Sequence, residues 1–346
     1  MSEKKFEVTI GIPVCNSEKF IRMCMESALN QTFESIEFLI IDDCGNDSSI
    51  SIIKEYQRSH LRGEDIRIVS QPKNLGIGDG RNRIIDEAKG RYLYFLDSDD
   101  KLAPNAIELL YASAEKYNAE MVYGSYEKIE EYGDEVKRIV CHYPNRQFLD
   151  VDEWPNYAYC KYGIVQSNVW NILMDVDVIR KNGLRFKSIN YWEDFVFVMD
   201  LPTYVKRVVL LSEITYYYFC RDGSLSKFQK RDVISKEEII HTVDALEYLK
   251  AQSDRIRHKT YFPLRMYKLM VSDFYIVRTI IRNKSIISPS FTNSELRDIM
   301  RSPLSLMEIL SFRQALVSNF VLYILGILPV SLSLCLIKAI AKKKLI

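Results

Sequence analysis

The first hundred residues alternate short, almost unbroken apolar runs with longer stretches whose apolar positions fall three and four apart. Val8–Val14 (VTIGIPV), Ile36–Ile41 (IEFLII), Ile66–Ser70 and Tyr92–Leu96 (YLYFL) read as strands. Between and after them, Glu18–Asn30, Ser49–Arg58, Arg81–Ala88 and Ala103–Tyr117 read as helices. Ile21, Met25 and Ala28 make the stripe of the first helix, with Asn16 or Ser17 as its cap, and Gly90 stops the third. Strands without polar alternation are buried on both faces. Alternating with helices, they predict a parallel, doubly wound sheet. Ligands of such sheets bind beyond the carboxyl ends of the strands, so the polar residues that follow each strand are the ones to inspect.

The pattern then loosens. Met121–Ile129 and Val136–Tyr143 suit a hairpin around Gly133-Asp134. Asn168–Met174 suits a strand, Phe195–Tyr204 a helix interrupted at Pro202, and Arg207–Cys220 a long β-rich run containing three successive tyrosines. From about Arg231 to Arg301 the period is helical, with many charges and tyrosines. Ala315–Ile337 is then 23 residues without a charge, closed by Lys338 and Lys342-Lys343-Lys344. That length suffices for a membrane span. Pro329, Ser318, Ser331 and Ser333 equally suit a kinked hairpin lying in one leaflet, and a core helix or a homodimer contact are the remaining readings. The expected organisation is a catalytic domain over 1–226, a helical region over 227–314 and a membrane-associating tail over 315–346.

Composition narrows the class. Hydrophobic residues are 47% and charged residues 27%, the balance of a globular protein and not of a disordered one. Lys plus Arg number 47 against 46 Asp plus Glu, which disfavours binding of nucleic acid by bulk charge. The formal net charge is +1; subtracting the four lysines of the acid-free tail leaves −3 for residues 1–314. Seven cysteines without a C-x-x-C pair argue for reduced thiols in a cytosolic compartment. Met1–Glu7 is polar and leads straight into the first strand, so no signal peptide is expected. The four histidines (60, 142, 241 and 258) lack the spacing of a zinc site.

Three acidic clusters carry the candidate chemistry. Asp42-Asp43 ends the second strand, Asp97-Ser98-Asp99-Asp100 ends the fourth, and Glu193-Asp194 lies downstream in YWEDF. Carboxylates one residue apart can reach a single hard cation. Mg2+ or Mn2+ held by few carboxylates completes its shell with phosphates, which suits a nucleotide diphosphate. Turn chemistry is the alternative, and for Asp42 the two readings stay open. No Walker loop or G-x-G-x-x-G follows a strand. Gly76-Ile77-Gly78-Asp79-Gly80 resembles a phosphate loop but reads rather as a flexible approach to the Arg81 helix.

The segments VTIGIPVCNSEKFIRMCMESALNQTFESIEFLIIDD (8–43), NLGIGDGRNRIIDEAKGRYLYFLDSDD (74–100), VWNILMDVDVIRKNGLRF (169–186), YWEDFVF (191–197) and YYYFCRDGSLS (216–226) resemble, in order, the family 2 glycosyltransferases. The resemblance implies an α/β, Rossmann-like A-type glycosyltransferase domain with a mixed, mainly parallel sheet, followed by a helical C-terminal region. It implies a nucleotide-sugar donor, UDP- or GDP-linked, and Mg2+ or Mn2+. Pro13 would lie by the base and Asp43 would accept a hydrogen bond from it. Asp97 would sit near ribose and metal, and Asp99 would bind the metal. Arg81 would hold the nucleotide or donor sugar. Asp194 would be the general base of an inverting displacement. Arg221 and Ser224 are candidates for the diphosphate, with a surface ion pair as the alternative for Arg221. Glu193 and Trp192 are candidates for the acceptor, with a passive neighbour and a buried aromatic as the alternatives. The basic run Lys227, Lys230 and Arg231 reads as a solvated face or a contact to lipid phosphates.

Three departures from the family pattern stand out: Cys15 where an aromatic is common, Cys44-Gly45-Asn46-Asp47 after the paired Asp, and Ile172 where Lys is frequent. The expected function is transfer of a sugar to a glycan or lipid-linked acceptor in cell-surface polysaccharide synthesis, at the inner face of the cell membrane. An inactive nucleotide-binding scaffold and a nucleotidyltransferase are the alternatives.

Overall fold

The apolar runs form half of a mixed sheet. Val8–Val14, Ile36–Ile41 and Tyr92–Phe95 are buried on both faces, whereas Ile66–Ser70 is a half-exposed edge strand and corrects the expectation of burial there. In the computed structural model, which describes residues 5–132, 135–160, 167–189, 192–221 and 233–342, β1 (Val8–Val14) and β2 (Ile36–Asp42) are almost wholly buried. β3 (Ile66–Ser70) and β4 (Tyr92–Phe95) join them in the parallel order β3-β2-β1-β4. The crossovers are α1 (Ile21–Leu29), α2 (Ser49–Ser59) and α3 (Ile77–Glu87). The first of these buries Ile21, Cys24, Met25, Ala28 and Leu29, the stripe expected from its spacing.

The chain divides into two compact units, Met1–Trp154 with Ile164–Leu225 and Pro155–Gly163 with Ser226–Ile346. The first continues through β5 (Lys101–Leu102), α4 (Ala106–Tyr117), β6 (Met121–Tyr132), β7 (Glu135–Cys141) and β8 (Arg146–Phe148). After α5 (Glu153–Ala158) come β9 (Ile172–Asp175), α6 (Val176–Lys181), α7 (Glu193–Asp200) and β10 (Val208–Arg221). Among the described residues the sheet has ten strands. β9 lies antiparallel between β4 and β6, and β10 runs parallel to β6. The architecture is the mixed, mainly parallel A-type sheet expected, with a helical C-terminal part.

Two local expectations need correction. The glycine-rich stretch before Arg81 is the first turn of α3 and not a flexible approach. Gly76 has φ +90°, a conformation open to glycine, and its carbonyl accepts the Gly80 N–H at 3.0 Å. A Cβ on Gly78 would come within 2.8 Å of the Lys187 carbonyl oxygen, so close packing and not flexibility requires the small residue. Asn168–Asn171 is not strand, and β9 starts at Ile172. Asn171 has φ +61° and uses its buried amide as a cross-link. Nδ2 donates to the Gly124 and Ser125 carbonyls, and Oδ1 accepts from Tyr94 and Thr215.

The second unit is helical. The short parallel pair β11 (Ile234–Ser235) and β12 (Ile287–Ser288) accompanies α8 (Lys236–Gln252), α9 (Phe262–Arg282), α10 (Asn293–Met300) and α11 (Leu306–Leu310). Thr292 and Glu295 form a capping box at the start of α10. The uncharged run divides at Leu328-Pro329 into α12 (Leu316–Ile327) and α13 (Val330–Lys342). Proline has no N–H to continue a helical ladder, which accounts for the break. Among the described residues no helix is long and apolar enough to cross a membrane. α12 packs on α9, where Asn319 Nδ2 donates to the Pro263 carbonyl at 3.0 Å.

Candidate active site

Strand register decides which polar residues meet. Gly11 pairs with Phe95 and Val14 with Asp42, so the residues after β1, β2 and β4 emerge at one edge of the sheet. Asp43 is buried there. Its carboxylate accepts from Gln71 Nε2 at 2.8 Å, Leu75 N–H at 2.9 Å and Gly76 N–H at 3.1 Å. It therefore fixes the chain that enters α3. Asp42 makes turn contacts, accepting from Cys44 N–H and the Ser70 hydroxyl. Pro13 is buried beneath α3, 3.6 Å from where a Cβ on Gly80 would lie.

Arg81, carried one turn into α3, is the hub. It is 2% exposed, and its two terminal nitrogens reach different partners: Asp97 Oδ1 at 3.0 Å and Glu193 Oε1 at 2.9 Å. Burial opposes its charge, but Asp97, Asp194 and Glu193 outweigh that cost and raise its pKa above the ordinary value. Its Nε is buried without a hydrogen-bond partner among the described residues. One guanidinium thus ties the acidic cluster after β4 to the one that opens α7.

The carboxylates of the first cluster differ sharply. Asp100 is buried and satisfied, accepting from the Tyr216 hydroxyl at 2.7 Å and Phe219 N–H at 2.8 Å. It anchors the cluster to β10. Asp99 is pushed up to about 6, by burial first and by the charge of Asp97 second. Arg221 stands beside it. Nη1 donates to the Asp99 carbonyl at 3.0 Å, Nε pairs with Glu131 at 2.7 Å, and the guanidinium lies over Phe20 and Phe219 at 4.4 and 4.2 Å. Ser98 and Ser17 share a 2.5 Å hydroxyl contact.

The second cluster begins at Trp192, whose φ of +65° is strained for a bulky side chain, at roughly 1–3 kcal/mol. That residue turns the chain into α7 and packs its ring 5.1 Å from Phe195. Glu193 is buried; burial raises its pKa although Arg81 opposes the shift. Asp194 is partly exposed and accepts from Phe195 N–H at 2.7 Å. It is pushed up to about 7, first by burial and then by Glu193, with Arg81 pulling the other way.

The structure thus brings Arg81, Asp97, Glu193 and Asp194 together, sets Asp99 beside Asp97 and Arg221 beside Asp99, and joins Pro13 and Asp43 through α3. Ser224, Lys227, Lys230 and Arg231 lie outside the described residues. Sequence reasoning missed the anchoring roles of Asp100, Tyr216 and Glu131 and the loop contacts of Gln71; only Asp100 carried a signal, its adjacency to the motif. At the unusual Cys15, Sγ accepts from Asn74 Nδ2 at 3.2 Å, and Cys44 Sγ donates to the Gln71 carbonyl at 3.0 Å. Among the described residues no three acidic, His or Cys side chains converge on one point. Asp97 and Asp99 nevertheless suit a hard cation. They repel each other as neighbouring anions, and a divalent ion with two carboxylate ligands leaves positions for phosphate and water.

Carboxylates gathered at one sheet edge around a buried arginine, in this strand order, define a glycosyltransferase of the A-type fold. The chain matches the family model of glycosyl transferase family 2 over residues 9–170. A cholesterol galactosyltransferase of Borreliella burgdorferi is 27% identical over 290 residues, 81% of this chain and 79% of that protein. A poly(ribitol-phosphate) beta-glucosyltransferase of Bacillus spizizenii is 29% identical over 222 residues, 63% of this chain and 33% of that protein. The chain therefore spans about a third of the length of that relative. S. aureus TarS 1–349 in complex with UDP-GlcNAc matches with a TM-score of 0.61 at 16% identity, over 93% of this chain and 90% of that one. At that identity the likeness establishes the fold.

Proposed function

We propose that the protein transfers a sugar, with inversion, from a UDP- or GDP-linked donor to a hydroxyl of a glycan or lipid-linked acceptor in cell-surface polysaccharide synthesis. The observation that carries this reading is the double pairing of Arg81. It holds Asp97, on the diphosphate side, and Glu193, beside the base, at one edge of the sheet. Asp194 takes the proton of the acceptor hydroxyl as the new bond forms and the nucleoside diphosphate leaves from the opposite face. A base near 7 is matched to that task at neutral pH. Glu193 positions Asp194 through Arg81, and Trp192 borders the acceptor. Asp43 holds the loop beside the base, over Pro13, and Arg221 faces the diphosphate. Asp97 and Asp99 would hold Mg2+ or Mn2+, which when bound neutralises charge on the departing phosphates.

The activities named for the relatives and the UDP-GlcNAc bound to TarS support a UDP-sugar donor and an acceptor of the cell envelope. Work on such an acceptor is consistent with a location at the inner face of the membrane. The test is the released product. Incubation with UDP- and GDP-sugars, Mn2+ and a glycan acceptor should release a nucleoside diphosphate and give a product of inverted anomeric configuration. Pyrophosphate released from a nucleoside triphosphate would mark a nucleotidyltransferase. Donor binding without slow hydrolysis would mark a scaffold. Either result overturns the reading.

A further inference from the structure

α12 carries no charged residue and is apolar on both sides. One side, with Leu322 and Leu325, is buried within the second unit. The other presents Val317, Phe320 and Val321, spaced three and four apart along one stripe, with Val317 71% exposed. The exposed apolar surface does not end with that helix. Met307 on α11 is 78% exposed, and Leu332 and Leu336 on α13 are open to solvent. Exposed apolar area on successive helices marks a surface that another phase or partner covers.

Charge selects the occupant. Glu308, paired with Arg257, is the last acidic residue of the chain. Beyond it come Arg313, Lys338, Lys342, Lys343 and Lys344 and no acid. A second copy of the same surface would bring like charges together. A leaflet of anionic lipid complements both the apolar stripe and the lysines. No described helix is long enough to span, so a helix lying in the interface is the geometry that remains for a lipid contact.

We propose that α12 and α13 dock the protein on anionic membrane, with the Val317–Phe320–Val321 stripe entering one leaflet and the acid-free, basic sequence beyond Glu308 selecting anionic lipid. The inference deepens the membrane placement in the proposed function and rests on it for its meaning, but not for its test. The test is flotation of the full chain with vesicles of phosphatidylcholine, with and without roughly one quarter phosphatidylglycerol. The wild type should float with the anionic vesicles and lose that binding as salt rises. Val317→Asp/Phe320→Asp, at exposed positions, should stay in the soluble fraction while melting at the wild-type temperature. Replacing the four tail lysines with Gln should weaken anionic binding by about fivefold per lysine. Flotation of the double Asp variant like wild type would overturn the proposal, as would wild-type protein that ignores vesicles. So would a wild-type dimer, seen by light scattering, that the Asp variant splits, because the stripe would then join copies. Donor hydrolysis in the same preparations keeps the claims apart: its absence breaks the transferase reading and leaves the docking result standing.

Discussion

Each unit buries cations against carboxylates, and the two arrangements differ in their balance. In the helical unit Lys250 meets Asp273 at 2.6 Å, both 2% exposed, with the more exposed Glu247 beside them. Arg265 also donates there to the Ser253 and Tyr159 hydroxyls. That set is close to one charge for one charge and serves to fix α8 against α9. In the sheet unit a single Arg81 faces Asp97, Glu193 and Asp194, with Asp99 next to them. Burial first, and the neighbouring carboxylates second, raise Asp99 to about 6 and Asp194 to about 7. Burial raises a carboxyl in either network, Asp273 to about 7 as well; what distinguishes the sheet unit is its surplus of carboxylates, which suits a cation.

Breaking each network should therefore read out differently. The largest effect expected is on catalysis. Asp99→Asn, or chelation of divalent ions, should lower transfer by several kcal/mol in transition-state terms, about 10²–10³-fold in rate. The folded state should barely change, as checked by steady-state kinetics alongside melting curves. Lys250→Met should do the reverse. Leaving Asp273 without its ammonium should cost about 3–5 kcal/mol of stability, while Lys250→Met/Asp273→Leu should recover most of it. Denaturant unfolding measures both, and turnover per folded molecule should stay at wild type. Tyr216→Phe sits between the two cases, because it removes a donor from buried Asp100. About 1–3 kcal/mol of stability should go, with a smaller loss of transfer as the acidic loop loosens.

The smallest effect comes from pH. The base must be ionised, so kcat/KM should rise about tenfold from pH 6 to pH 8 if Asp194 titrates near 7. Stability should move oppositely. Asp194 and Asp273 hold protons in the folded state that they would release when unfolded, both being raised to about 7. Their contribution is complete below the ordinary carboxylate range and is lost as pH rises through 7. A melting temperature that increases between pH 5 and 8 would contradict the assignment of protons to the buried carboxyls of Asp194 and Asp273.

The sheet was legible in the sequence wherever strands are buried on both faces. VTIGIPV and IEFLII announce themselves by lacking polar alternation, and the acidic residues after them follow from the strand ends. Less could be read where a side chain bonds across long separation. Arg81 is 16 residues from Asp97 and 112 from Glu193. No local pattern tells that it turns inward to join them. Asn171 broke a strand for the same reason, through partners on three other strands. Gly78 looked like flexibility, and close packing against the Lys187 carbonyl decides it instead. In the tail, composition gave the absence of charge. Only the break at Pro329 and the burial of one face of α12 separate a span from a pair of shorter helices.

The central claim is that Asp194 is the base of a sugar transfer. Its most direct test is Asp194→Asn, followed by both donor binding and turnover. Thermal shift with the nucleotide sugar and Mn2+ should match wild type, and transfer to the acceptor should fall by about 10²–10⁴-fold. Near-normal turnover by Asp194→Asn, with the donor still bound, would contradict the account.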